Sequence, residues 1–196
     1  VDDLILPDAH TTKRVSQYAA GKRHGNIILH GPKGTGKSAT AWVIAEARCK
    51  AAASTYPIPV YNGAIVHENT FTRMYNEWNW QRINGVEHPY IIIDEVDKLS
   101  VSLQQKLRAV LDSTDVGNVI LTTNHIHRVD EPLVDRCDDI EMPSIKIDDW
   151  YDTAVDWLNE GGVSVDDEVL RELLATNNGT IRDLKRTIED IICESK

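Results

Sequence analysis

Short apolar runs alternate with longer mixed segments along the first 143 residues. Five of these runs predict strands, at residues 26–30, 58–61, 89–93, 118–123 and 139–142. Helices are predicted between them at residues 37–53, 69–82 and 103–111. Strands that alternate with helices indicate a parallel sheet with right-handed crossover connections. The expected fold class is therefore α/β, with a five-stranded parallel sheet flanked by helices.

The strand pattern stops at Pro143. Three helical segments are expected beyond it, at roughly 148–159, 166–176 and 180–194, separated by Gly- and Asn-rich breaks. We therefore predict two domains, an α/β domain of residues 1–143 and a small all-α domain of residues 144–196.

The composition is that of an ordinary globular protein. Of 196 residues, 41% are hydrophobic and 27% are charged, and the formal net charge is −10. No apolar run approaches the roughly 18 residues of a membrane helix, and no signal-peptide pattern opens the chain. Three widely spaced cysteines argue against a disulfide framework or a zinc site. We expect an intracellular protein without a membrane partner, in the cytoplasm or nucleoid, or in the nucleus of a eukaryote.

Residues 31–38 carry the pattern G-x-x-x-x-G-K-[ST] between a predicted strand and a predicted helix. In such a loop, backbone N–H groups and the helix N-terminus surround phosphates. Lys37 is expected to reach the β- and γ-phosphates, and the Ser38 hydroxyl to bind Mg²⁺. The alternative is a glycine-rich turn without a ligand. The predicted nucleotide-binding residues here are Gly31, Pro32, Lys33, Gly34, Thr35, Gly36, Lys37 and Ser38.

Two carboxylates, Asp94 and Glu95, end the apolar strand at residues 89–93. Because side chains alternate along a strand, these two are expected to leave on different sides. Asp94 can then join the Mg²⁺ shell together with Ser38, while Glu95 faces the attacking water as a base. The alternative is a solvated acidic turn after a core strand.

Further motifs follow in order along the chain. They are DEVDKL at 94–99, QQKLR at 104–108, TTN at 122–124, PLVDRC at 132–137 and GTIRDL at 179–184. With the phosphate loop, this set resembles the AAA+ ATPases, and more narrowly the small subunits of sliding-clamp loaders, including those of phages. Two positions depart from the pattern: Ala109 replaces a second Arg, and Asp135 replaces a Ser.

The resemblance implies roles for residues outside the phosphate loop. Asn124 would hold the lytic water or the γ-phosphate, and Arg182 would reach back to the phosphates from the last helix. Arg136 would act in trans and complete the ATP site of a neighbouring subunit, with Asp135 as its partner in the resting state. The segment that holds Ile5 and Leu6 is similar to the one that lines the adenine pocket.

The implied function is that of an ATP-hydrolysing subunit of a clamp-loader-like complex that loads a sliding clamp on primer–template DNA during replication. Its implied cofactors are ATP and Mg²⁺, and its implied partners are other AAA+ subunits in a ring or spiral. The C-terminal collar domain of clamp-loader subunits has no counterpart in the 196 residues, so we expect a truncated chain or a stand-alone AAA+ module. Two alternatives stay open: a helicase loader or transposition-type regulator that assembles on DNA, and a nucleotide-binding module with little turnover.

Three weaker patterns each have a plain structural alternative. Lys106 and Arg108 lie on the helix that the resemblance places near a DNA channel, and they are candidate phosphate contacts, although a solvated helix face fits equally well. His125 and His127 lack neighbouring ligands at metal-binding spacing. The tryptophans of residues 78–80 resemble a single-strand binding surface, but helix packing is the simpler interpretation.

Overall fold

Five parallel strands form the central sheet. A computed structural model of the protein describes Leu4 and residues 6–144, 147–175 and 180–194. The strands are β1 (Asn26–His30), β2 (Val60–Asn62), β3 (Tyr90–Asp94), β4 (Asn118–Thr123) and β5 (Cys137–Glu141). Their order across the sheet is β2-β3-β4-β1-β5, and every neighbouring pair is parallel. The predicted α/β fold class is confirmed.

Eight α-helices accompany the sheet within the described residues. They are α1 (Ala9–Ala19), α2 (Lys37–Ala51), α3 (Glu68–Ile83), α4 (Val101–Ser113), α5 (Glu131–Val134), α6 (Ile147–Glu160), α7 (Asp167–Ala175) and α8 (Ile181–Glu194). The pattern of apolar residues missed α1, which begins at an N-cap: the Asp8 carboxylate accepts the Thr11 backbone N–H at 2.8 Å.

β2 starts two residues later than the pattern predicts. Pro57 and Pro59 flank Ile58, and a proline has no backbone N–H to offer a sheet. The Pro59 carbonyl still accepts the Ile92 N–H at 3.0 Å, and paired residues begin with Val60 opposite Ile92. The prolines therefore shorten this edge strand to three residues.

The sheet is covered on both faces. Along β3, Ile91 and Ile93 belong to a core with α3 and α4, whereas Tyr90 and Ile92 belong to a second core with α1 and α2. The alternation follows from the period of two in a strand. It explains why the central strands are continuously apolar, since neither face meets water.

The helices α6, α7 and α8 share a third apolar core. Its buried members are Trp150, Ala154, Leu158, Leu170, Leu174, Leu184 and Ile188. The three helical segments predicted after Pro143 therefore form and pack on one another. That residues 144–196 are a domain of their own remains a prediction.

The three cysteines differ in their exposure. Cys49 is buried, Cys137 is half-buried and Cys193 is exposed, so the interpretation of all three as core or near-core residues is wrong for Cys193.

No helix in the described part of the chain is long and apolar enough to cross a membrane. Among those residues there is also no group of three or more metal-ligating side chains; the rings of His125 and His127 meet edge to face at 5.7 Å.

Candidate nucleotide-binding site

The phosphate loop joins β1 to α2 at the carboxyl edge of the sheet. Gly31 leaves β1 with φ +142°, and a Cβ there would lie 2.1 Å from the Met142 carbonyl oxygen. Only glycine fits this position, because the loop passes directly against the backbone that follows β5. The loop then turns into α2, whose first residue is Lys37.

Lys37 is turned inward against its own loop. Its Nζ donates to the carbonyl oxygens of Gly31 at 2.9 Å and Pro32 at 2.5 Å. Burial lowers the pKa of Lys37, and the nearby carboxylates of Asp94 and Asp97 oppose the shift. An ammonium held by neutral carbonyls can exchange them for phosphate oxygens, which are stronger acceptors.

A hydroxyl and a carboxylate meet where α2 begins. The Ser38 hydroxyl donates to Asp94 Oδ1 at 3.0 Å, and the Thr122 hydroxyl donates to the same oxygen at 2.9 Å. Mg²⁺ prefers hard oxygen ligands and keeps several waters. Ser38 and Asp94 therefore have the chemistry and the proximity to hold this ion together.

The Glu95 carboxylate has a different hydrogen-bond partner from the Asp94 carboxylate. It has φ +56°, and its backbone N–H donates to the Thr122 hydroxyl at 3.2 Å. Its carboxylate accepts the Asn62 side-chain amide at 3.2 Å. A left-handed conformation costs free energy for a non-glycine residue, so the surrounding hydrogen bonds must maintain it.

The sequence patterns predict no role for Asn62 and include Thr122 only within a motif. Both lie at the carboxyl ends of strands adjacent to β3, and Asn62 is in register with Asp94. A polar residue that ends a neighbouring parallel strand is the signal that could have found them.

A cavity of about 470 Å³ lies over the loop, within the usual size range of ligand sites. It brings together residues from the phosphate loop, the ends of β3 and β4, and α8. Its lining is Lys33, Gly34, Gly36, Lys37, Ser38, Ala39, Glu95, Thr122, Asn124, Ile181, Arg182 and Lys185. Of these, Ala39, Thr122, Ile181 and Lys185 were not predicted as site residues.

The start of α8 is attached to the phosphate loop. The Ile181 N–H donates to the Gly34 carbonyl oxygen at 2.8 Å. A Cβ on Gly34 would lie 2.5 Å from Thr180 Cβ, so the missing side chain allows this approach. As a result, Arg182 lines the same cavity as Lys37.

Residues 27–144 match the family "ATPase family associated with various cellular activities (AAA)". The chain belongs to this AAA family. It is 24% identical to the replication factor C large subunit of Pyrococcus horikoshii over 95% of this chain and 39% of the relative. It is 27% identical to replication factor C subunit 2 of Oryza sativa subsp. japonica over 83% of this chain and 50% of the relative. The predicted resemblance is thereby confirmed.

A solved structure shows the same fold as this AAA protein. The Thermotoga maritima RuvB Holliday junction branch migration motor superimposes with a TM-score of 0.73 at 16% identity, covering 94% of this chain and 61% of that one. The AAA protein thus spans less than two thirds of the length of each of these relatives.

Arg136 of this AAA protein lies outside the lining of the cavity. Its Nε and Nη2 donate to the two oxygens of Asp112 at 2.5 and 2.9 Å, and its Nη1 donates to the Pro132 carbonyl at 2.5 Å. The expectation that Asp135 pairs with Arg136 is therefore wrong. Asp112, on α4, offers both oxygens to the planar guanidinium, and this bidentate contact outweighs the attraction of Asp135.

The two residues predicted to line the adenine pocket are Ile5 and Leu6. Leu6 is half-buried and packs with the core of α1 and α2, and it is absent from the lining of the cavity. Ile5 lies outside the described residues.

The two candidate DNA contacts of the AAA protein form ion pairs with different carboxylates. Lys106 pairs with Glu68 at the start of α3, whereas Arg108 pairs with Asp130 at 3.1 Å. Positions two apart on a helix do not share a face, so these two cations do not form one stripe.

Trp78 is fully buried, and its indole N–H donates to the Asn118 carbonyl at 3.0 Å, while Trp80 is exposed. The two tryptophans therefore belong to no common binding surface.

Proposed function

We propose that this AAA protein hydrolyses ATP as a subunit of a clamp-loader-like assembly. The observation that carries the proposal is the single cavity that unites Lys37, Ser38, Glu95, Asn124 and Arg182. Lys37 and Arg182 are cations, so the cavity suits a polyanion. The phosphate loop and the start of α2 also offer such a ligand backbone N–H groups.

Each residue of the site has a distinct task in this proposal. Lys37 exchanges its loop carbonyls for the β- and γ-phosphates, and Ser38 and Asp94 hold Mg²⁺, which neutralises charge on the phosphates when it is bound. Glu95 accepts a proton from the attacking water, and Asn124 orients that water or the γ-phosphate. Arg182 carries positive charge from α8 to the phosphates.

The hydrogen bond from Asn62 to Glu95 affects whether the Glu95 carboxylate can act as the base. While the Asn62 amide donates to one carboxylate oxygen of Glu95 at 3.2 Å, that oxygen is occupied and does not contact the attacking water. Turnover in this proposal therefore involves release of Glu95 from Asn62.

Arg136 is proposed to act in trans. In the single chain its guanidinium is held by Asp112, outside the cavity. A neighbour's γ-phosphate competes for the same planar donor, and an arginine supplied by a partner contributes about 10³–10⁵ to phosphoryl-transfer rates. Other AAA+ subunits in a ring or spiral are the partners that this role requires.

Loading a sliding clamp on primer–template DNA is the finer part of the proposal, supported by the relationship to replication factor C subunits. Lys106 and Arg108 remain the candidate DNA contacts, each of which would exchange a carboxylate for a phosphate.

We also propose that residues 1–143 and 144–196 are separate domains, and that the protein acts inside the cell, in the cytoplasm, nucleoid or nucleus.

The decisive experiment measures ATPase rate with primer–template DNA, with a candidate clamp, with both and with neither. Stimulation that requires both supports clamp loading. Stimulation by DNA alone favours a regulator that assembles on DNA, and tight ATP binding without turnover favours a binding module.

The trans role is tested by mixing two variants, Arg136→Ala and Lys37→Met, each expected to be nearly inactive alone. The mixture places an intact Arg136 against an intact phosphate loop, so some activity should return. Co-assembly without any recovery would assign Arg136 to the ion pair with Asp112 alone.

A further inference from the structure

Helix α8 directs more than one cation toward the phosphate cavity. Ile181, Arg182 and Lys185 all line it, and their spacing of one and four residues places them on one side of the helix. Leu184 and Ile188 are buried in the core with α6 and α7, and Ile181 packs against the same core. Arg182 and Lys185, three residues apart, are the cations that α8 places at the edge of this core, in the lining of the cavity. The packing of α8 therefore leaves Lys185 at the cavity.

Lys185 has only a weak competing partner among the described residues. Its Nζ lies 3.9 Å from Glu189 Oε1, one turn further along the helix, and both side chains are well exposed. Exposed pairs at this spacing stabilise a helix only weakly. The ammonium is therefore available to a stronger acceptor.

The charge at the cavity is opposite to that of the whole protein. Its described lining carries four cations, on Lys33, Lys37, Arg182 and Lys185, and one carboxylate, on Glu95. The chain as a whole carries −10. Four cations around one small cavity repel one another, and a bound triphosphate with its several negative oxygens relieves that repulsion.

The attachment of α8 brings Lys185 within reach of such a ligand. The hydrogen bond from Ile181 to Gly34 fixes the first turn of α8 on the phosphate loop, one turn before Lys185. A flexible four-carbon stem then lets a compact ammonium follow a phosphate oxygen.

We propose that Lys185 is a second phosphate-binding residue of α8, which contacts the nucleotide phosphates together with Arg182. This inference rests on the proposed function, in that the cavity must hold a nucleotide. It adds a residue to the site that none of the sequence motifs indicates.

The test compares Lys185→Ala with Arg186→Ala. Arg186 is a matched control, because it is an exposed cation on the same helix, 4.0 Å from Asp183, and it is absent from the lining of the cavity. Calorimetry with the slowly hydrolysed analogue ATPγS and with ADP gives the dissociation constants.

We expect Lys185→Ala to raise the Kd for ATPγS about tenfold, as for loss of one hydrogen bond to a charged group. Arg186→Ala should stay within about twofold of the parent, and Lys185→Arg should restore most of the affinity, since only a retained positive charge explains that rescue. Equal Kd values for Lys185→Ala and Arg186→Ala would overturn the inference.

The same titrations separate this inference from the proposed function. If Lys37→Met loses ATPγS binding but Lys185→Ala does not, the cavity is a nucleotide site and only the role of Lys185 fails. If the parent does not bind ATPγS, or Lys37→Met binds it as the parent does, the nucleotide site itself is wrong.

Discussion

Replacing Lys37 by Met should separate nucleotide binding from folding. The side chain is almost entirely buried, and Met retains most of the apolar stem while it removes the ammonium. The lowered pKa of Lys37 means that the folded protein holds this charge at a cost relative to the unfolded chain. Removing the charge therefore removes a destabilising contribution.

The lost hydrogen bonds act in the opposite direction. Lys37 donates to the carbonyls of Gly31 and Pro32, and such bonds contribute about 1 kcal/mol each. The two effects have opposite signs, so the net change is smaller than the loss of the two hydrogen bonds alone. Because 1 kcal/mol shifts Tm by about 2–4 °C in a protein of 150–250 residues, we expect the nucleotide-free variant to melt within about 4 °C of the parent.

The response to nucleotide should differ far more. A ligand at one hundred times its Kd stabilises the folded state by about 2.7 kcal/mol, which corresponds to a rise in Tm of about 5–11 °C. The parent should show this rise with Mg²⁺ and ATPγS, and Lys37→Met should show none, since the phosphates lose their most deeply placed cation.

The measurement is thermal unfolding followed by circular dichroism, with and without Mg²⁺ and ATPγS. Lys50→Met is the matched control, because Lys50 lies on the same helix, is exposed and pairs with Glu46. It should keep the nucleotide-dependent rise. A Lys37→Met protein that still gains 5 °C or more with nucleotide would refute the placement of the phosphates at Lys37.

Two further predictions concern the base and a helix cap. Glu95→Gln should bind ATP as the parent does and hydrolyse it at least about 100-fold more slowly, because Gln cannot accept the proton of the attacking water; a steady-state ATPase assay at the parent rate would show that Glu95 is not the base. Asp8→Ala should lower the free energy of unfolding by about 1 kcal/mol at pH 7, since it removes the cap of Thr11. The cap lowers the pKa of Asp8, so its charge stabilises the fold above pH 3.8 and ceases to do so as pH falls through the lower, folded-state value. Urea unfolding should therefore give a smaller difference between Asp8→Ala and the parent near pH 3 than at pH 7, and an equal difference at both would contradict this account.

The local patterns of the chain were sufficient for the fold class and for many of the residues that line the cavity. Apolar runs predicted the strands at 26–30 and 118–123 within the bounds that they have in the structure. The eight residues of the phosphate loop predicted where β1 ends and α2 begins. The glycines of this motif stand at fixed distances from the start of the helix, so the motif specifies the local backbone conformation. Asp94 and Glu95 became candidates for another local reason, as polar residues that follow an apolar run directly.

What the local patterns could not supply is the set of partners from distant parts of the chain. Asn62 reaches Glu95 only because β2 lies beside β3 in a particular register, and Thr122 reaches Asp94 only because β4 lies on the other side. Strand order and register result from packing both faces of the whole sheet, and no short segment carries that information.

The same reason explains the residues that only the tertiary structure assigned. Asp112 and Arg136 are 24 residues apart, and their ion pair depends on how α4 packs beside α5. Lys185 looks like any exposed helical cation in the sequence, and it acquires a position at the cavity over the phosphate loop because the start of α8 is attached to Gly34. The sequence by itself determined the phosphate loop and the parallel sheet, since these depend on local backbone preference and periodicity. The tertiary structure decided which charges face one another, since that depends on contacts between segments far apart in the chain.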